Sequence, residues 1–90
     1  YLHADEVATL MPSSVVRFKA APISGFFLDM STLAGKPIYS SQMRNVFSMQ
    51  NASVNLDCMN GSSDPSSCMF AEHVWPYLRT PILATNSMYD

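Results

Sequence analysis

The chain has 90 residues and a mass of 10.0 kDa, room for one domain at most, with 48% apolar residues but only 13% charged ones, about half the usual charged share of roughly 25%. Five basic against seven acidic residues give a formal charge of −2, which lacks the basic excess of a nucleic-acid binder and excludes that partner class. The apolar content excludes a disordered tail, and no apolar run is long enough for a membrane span, which needs about 18 or more residues.

The first segment, 1–11, is expected to be helical. Ala4, Val7, Ala8 and Met11 recur at helical spacing and form one apolar face. Its opening Tyr1-Leu2-His3-Ala4-Asp5-Glu6 has no basic start and no apolar core segment, so it does not read as a signal peptide. Pro12 ends the helix. Segment 15–21 then alternates, with Val16, Phe18 and Ala20 to one side and Val15, Arg17 and Lys19 to the other, as a strand does. Pro22 closes it. Helix, short turn and strand in that order suggest an α/β layer.

Ser24-Gly25-Phe26-Phe27-Leu28-Asp29 follows. Gly25 suggests a tight turn that throws two aromatic rings to the end of the strand, where open α/β sheets bind ligands. The simpler reading makes Phe26 and Phe27 core. Segment 31–37, with Gly35 and Pro37, reads as loop. Segment 41–50 reads as a second helix with Met43, Val46, Phe47 and Gln50 on one face and Ser40 or Ser41 as its cap. A polar loop is expected over 51–68 and a short helix over 71–78, with Pro76 in or ending its last turn and Trp75 as its anchor against the sheet. Ile82, Leu83, Ala84 and Thr85 read as a short strand buried on both faces. Asp90 follows that strand by five residues, the place where an α/β hydrolase carries its triad acid.

Cys58 and Cys68 flank a Ser-rich, turn-forming stretch. They either close a disulfide, worth roughly 2–3 kcal/mol in loop-closure entropy, or stay free. With only the distant His3 and His73 for company they match no zinc spacing, so no metal site is expected. Two sequons, at Asn51 and Asn60, mark glycosylation candidates. The possible disulfide and the sequons together suggest a secreted or lumenal protein. His3 and His73 read as surface residues, and the seven Met as core filler.

Four blocks then raise the odds together. Ser24 to Asp29, Cys58 with Cys68-Met69-Phe70, Val74-Trp75-Pro76-Tyr77-Leu78-Arg79-Thr80-Pro81, and Asn86-Ser87-Met88-Tyr89-Asp90 resemble, in order and spacing, the pectin acetylesterase family, which includes the Notum-type carboxylesterases. The resemblance covers nearly the whole chain. It implies an α/β fold: a fragment of an α/β-hydrolase-like domain with a mainly parallel sheet flanked by helices. Asp90 matches the family's catalytic acid. Cys58 and Cys68 match a disulfide pair. Phe27, Met69 and Phe70 match the lining of the acyl pocket, with Met69 in place of the more usual Phe. Asp29 matches a structural position at the strand end. Phe18 departs from a frequent Cys, which implies that one family disulfide is absent.

The resemblance also implies what surrounds the chain. No Gly-x-Ser-Ala-Gly-Gly elbow occurs in the sequence, and the family's His follows its Asp. Residues 1–90 therefore read as one partial domain, the central part of an esterase catalytic domain, with the nucleophile upstream, the base downstream, and the remainder of the same domain as its physical partner. The implied function is hydrolysis of carboxylic esters, most simply acetyl groups on an O-acylated polysaccharide. The family's range extends to fatty-acyl esters on protein. No metal or organic cofactor is implied. A non-catalytic, esterase-like binding or scaffold subunit is the alternative, and an unrelated small α/β module the blandest reading. The low charge fits a segment covered by neighbouring sequence, and such a piece alone is expected to fold poorly and aggregate.

Overall fold

A computed structural model of the chain describes residues 1–88. Asp90, the expected catalytic acid, lies outside the described residues.

Helix α1 is Ala4–Thr9, shorter than the expected 1–11. Asp5 and Glu6 occupy its first turn, where acidic groups complement the helix dipole. The chain then turns through Leu10 and Met11 into Pro12, whose carbonyl accepts from the Val15 amide at 2.9 Å. Of the expected apolar face only Ala4 is fully buried, while Val7 and Met11 are exposed.

The two expected strands are not formed, and the described residues contain helices and bridges but no strand. Segments 20–24 and 81–85 instead run side by side through two isolated parallel bridges, Ala20 with Ile82 and Ile23 with Thr85. Four backbone hydrogen bonds join them: Ala20 N to Pro81 O, Leu83 N to Ala20 O, Thr85 N to Pro22 O and Ser24 N to Thr85 O, each 3.0 Å. In this register the next donor between Ala20 and Ser24 is residue 22. Proline has no N–H to give, so the rung toward Leu83 O is missing and the ribbon divides in two. Residues 15–19 run outside any ladder, and Val16 is fully exposed at 101%. The mainly parallel sheet implied by the family resemblance is therefore not formed by the described residues, which contribute only two isolated parallel bridges.

At the next turn Ser24 takes the left-handed conformation at φ 54°, the role the sequence suggested for Gly25. Gly35, at φ 75°, does require glycine's freedom, and its amide donates to Thr32 O at 2.8 Å. Helix α2, Ile38–Met49, starts three residues earlier than expected, directly after Pro37. Ser40 is consequently inside the helix and not its cap. Its hydroxyl turns inward. Asn51, left-handed at φ 46°, ends α2, with the Ala52 amide reaching back to Phe47 O at 3.0 Å, a Schellman-type closure.

The stretch 51–68 is not a plain loop. Helix α3, Leu56–Gly61, begins where Asn55 accepts the Cys58 amide on its side chain, and a 3-10 turn, Pro65–Met69, begins where Asp64 accepts the Ser66 amide. Both are ordinary N-caps, and Pro65 at the first turn position suits its fixed φ. Cys58 and Cys68 form a disulfide joining the two elements, with Cα atoms 6.0 Å apart. Helix α4, Ala71–Val74, passes into a second 3-10 turn, Trp75–Tyr77, which accommodates Pro76. The core sits here. Val54, Cys58, Cys68 and Val74 are buried together, with Tyr1, Leu2, Phe47 and Tyr77 packed around them. Val74 anchors α4, whereas Trp75, the expected anchor, is 48% exposed. An apolar cluster this small needs the covalent link between α3 and the 3-10 turn.

Candidate functional site

Tyr1 organises the surface nearest to the expected acyl pocket. Its hydroxyl donates to Met69 O at 2.8 Å and accepts the Phe27 amide at 3.4 Å. Its ring tilts against Phe26 with centroids 5.9 Å apart. Burial pushes the Tyr1 phenol above its ordinary value, the hydrogen bond from Phe27 working the other way. The Ala71 amide donates to Phe27 O at 2.8 Å. The turn at 25–29 is thereby laid against residues 69–71, and Phe27, Met69 and Phe70 meet in one neighbourhood.

The three are not equivalent. Phe27 is 40% exposed, Met69 is half-buried, and Phe70 is wholly buried. Phe70 lies behind the surface, edge-on to Tyr39 at 6.0 Å and to His73 at 6.4 Å between centroids. An open groove of about 470 Å³ runs past Phe27 between Tyr1, Ala4, Phe18, Ala20 and Gly25. It is mostly apolar, as an acyl site requires, but of the three expected pocket residues only Phe27 lines it. A larger cleft of about 580 Å³ lies on the other side of Leu2 and Phe18, around Asp5, Leu56, Asp57 and Arg79. The larger cleft does not touch Phe27, Met69 or Phe70.

Asp5 holds the C-terminal segment to α1. Its carboxylate accepts the Thr80 amide at 2.7 Å, the Arg79 amide at 3.0 Å and Asn55 Nδ2 at 3.0 Å. Burial draws this carboxyl upward, but the hydrogen bonds from Arg79, Thr80 and Asn55 outweigh it and leave the acid below its ordinary value. The acid therefore stays charged, and it fixes the start of the segment that leads through the parallel ribbon toward residue 90.

A second carboxylate, Asp29, sits between a serine and a histidine. Ser40 Oγ donates to Asp29 Oδ1, and His73 Nε2 lies 3.5 Å from Asp29 Oδ2. This is not a nucleophilic triad. A triad needs the serine against the imidazole and the acid behind it, and here the acid is in the middle. His73 was expected at the surface and is partly exposed, but it has this partner. His3 is exposed and pairs with Glu6 at 2.9 Å. Asn51 and Asn60 are both exposed. Among the described residues no three His, Cys, Asp or Glu side chains come together to hold a metal ion, and no helix is long and apolar enough to cross a membrane.

Sequence reasoning missed Tyr1, Asp5 and Ser40 as connectors. Nothing local marks Tyr1 or Asp5, whose partners are 68 and 75 positions away. The caps at Asn55 and Asp64 did carry a local signal, a side-chain acceptor two or three residues before a turn.

With this geometry in place, comparison with known sequences decides the relationship. The profile of the family described as pectinacetylesterase matches residues 1–90. The chain belongs to the pectinacetylesterase family. Among its relatives, Pectin acetylesterase 5 of Arabidopsis thaliana is 29% identical over 91 residues, covering 99% of this chain and 21% of that protein. Pectin acetylesterase 4 of the same plant is 28% identical over 91 residues, covering 99% of this chain and 22% of that protein. The chain thus spans about a fifth of the length of these relatives. Membership implies an α/β-hydrolase-like fold, while the described residues form helices and two isolated bridges but no strand.

Proposed function

We propose that residues 1–90 form the central segment of the catalytic domain of a carboxylic-ester hydrolase that removes acetyl groups from an O-acetylated polysaccharide. The observation that carries this reading is the match of the whole chain to the pectinacetylesterase family, supported by relatives named for that activity. The proposed chemistry is acyl transfer through serine. A serine of the longer protein, upstream of Tyr1, attacks the ester carbonyl and gives its proton to a histidine downstream of Asp90. Backbone N–H groups beside the serine hold the oxyanion. The carbonyl re-forms, the sugar hydroxyl leaves with that proton, and water then releases acetate from the acyl-enzyme. Asp90 is assigned to orient the histidine and to stabilise its charged form.

In this reading Phe27 and Met69 face the short acyl group and Phe70 supports them from behind. The reading that other sequence of the same domain covers this segment is supported by its exposed apolar groups, among them Leu10, Val16, Ile23, Leu33 and Leu83, more than a free-standing surface usually shows. A buried disulfide and two exposed sequon asparagines favour a secreted or lumenal location. The test is acetate release from acetylated pectin by the full-length protein. Release supports the reading. A correctly folded protein that binds the polysaccharide without releasing acetate favours the scaffold alternative instead.

A further inference from the structure

We infer that Asp29 is a positioning residue: it clamps the aromatic turn at 25–29 to α2 and α4 and so fixes where Phe27 stands. Its consequence for catalysis rests on the esterase reading above, but its geometry does not.

Four polar tethers from α2 and α4 converge on two residues of the turn, Phe27 and Asp29. Ser40 of α2, only 4% exposed, donates its hydroxyl to Asp29 Oδ1. His73 of α4 stands 3.5 Å from Asp29 Oδ2. The Asp29 amide donates to Glu72 Oε1 at 2.8 Å, and the Ala71 amide to Phe27 O at 2.8 Å. Beyond the Phe26 ring against Tyr1, packing holds the turn only weakly. Phe27, Leu28 and Met30 are all substantially exposed, so the turn has no apolar residue locked in the core between Phe27 and Met30. A turn with little buried apolar area opens easily unless polar bonds hold it. Hydrogen bonds to a charged group are among the stronger ones, and Asp29 accepts one from Ser40 of α2 while its other oxygen lies 3.5 Å from His73 Nε2 of α4. His73 adds a second link, since its ring also lies edge-on to Phe70. The side chain that grips the turn is therefore seated on the residue that backs the proposed acyl wall.

A clamp of this kind sets substrate affinity more than the chemical step, because it touches no reacting atom. The experiment uses the full-length protein with p-nitrophenyl acetate as probe and compares Asp29→Ala with Asp29→Asn. Asparagine keeps an oxygen for Ser40 and an amide for His73. Asp29→Ala is expected to raise KM about tenfold, the scale of one hydrogen bond to a charged group, with kcat within about twofold. Asp29→Asn is expected to restore most of that loss. Hydrogen exchange is read in parallel: the Ala71 and Asp29 amides should exchange at least about tenfold faster in Asp29→Ala, with the Cys58 amide of α3 unchanged. An unchanged KM together with unchanged exchange at Ala71 would overturn the inference, as would a fall in kcat at constant KM. If the wild-type protein hydrolyses no ester, the esterase reading fails and the exchange measurement alone decides the clamp. If Asp29→Ala does not fold, His73→Ala removes one surface tether and is judged by the same two readouts.

Discussion

Replacing both half-cystines, Cys58→Ala with Cys68→Ala, is the perturbation whose size follows most directly from the structure. The bridge spans 10 positions, and closing a loop of that length costs the unfolded chain about 2.7 kcal/mol of entropy at 25 °C in the chain-entropy treatment. Both cysteines are buried, at 1% and 0% exposure, so each lost sulfur adds about 1 kcal/mol of apolar transfer. The sum is about 4–5 kcal/mol. If the full-length protein has the size of relatives of which this chain covers about a fifth, its unfolding entropy is roughly 0.9 kcal/mol/K at about 2.1 cal/mol/K per residue. The double variant should then melt about 5 °C lower in differential scanning calorimetry. A drop below about 1 °C would refute the argument, since it would mean that α3 and the Pro65–Met69 turn hold together without their covalent link.

Asn55→Ala removes both the cap of α3 and a donor to Asp5. It should cost about 1–2 kcal/mol in urea unfolding, and a loss under about 0.3 kcal/mol would contradict the capping account. Asp5 is held below its ordinary value of 3.8, so the stability it contributes is present above that value and disappears as pH falls through the lower folded one. Stability of the wild type over Asp5→Asn should therefore be constant between pH 5 and 7 and shrink below about pH 4. A gap that widens on acidification would reverse the sign and sink the assignment. Enzymatic removal of N-glycans should lower the mass of protein secreted by a glycosylating host, and the substitutions Asn51→Gln and Asn60→Gln should together abolish that change. An unmodified secreted protein would count against both sequons.

The parts legible in the sequence were those with local causes. The helices near the N-terminus and over 41–50 show as apolar periodicity within a few turns of chain, and the four ordered blocks from Ser24 to Asp90 were enough to suggest the family. Other parts depended on distance. β-like patterning placed strands at 15–21 and 82–85, whereas the pairing runs between 20–24 and 81–85, and the pattern says nothing of that partner or of the rung that Pro22 removes. The stretch 51–68 looked like loop because its residues are polar and turn-forming. Asn55 and Asp64 are polar for another reason, since each caps a short helix that carries a cysteine inward. Trp75 was expected to anchor the short helix against the sheet, yet the α4 register buries Val74 and leaves Trp75 48% exposed. Ser40 looked like a cap because serine often is one, and is a buried donor because α2 starts at Ile38. For the candidate site, Phe27, Met69 and Phe70 came from the family resemblance. Their meeting through Tyr1 and the Ala71 amide is a tertiary fact no local pattern encodes.

The central claim is that Asp90 serves as the acid of an esterase triad completed by other parts of the same protein. It is tested most directly by steady-state hydrolysis of an acetyl ester by the full-length protein and its Asp90→Asn variant near neutral pH. The account predicts a folded variant whose kcat is lower by on the order of 10⁴, because asparagine holds the imidazole in the wrong tautomer. A variant that retains wild-type turnover would contradict it.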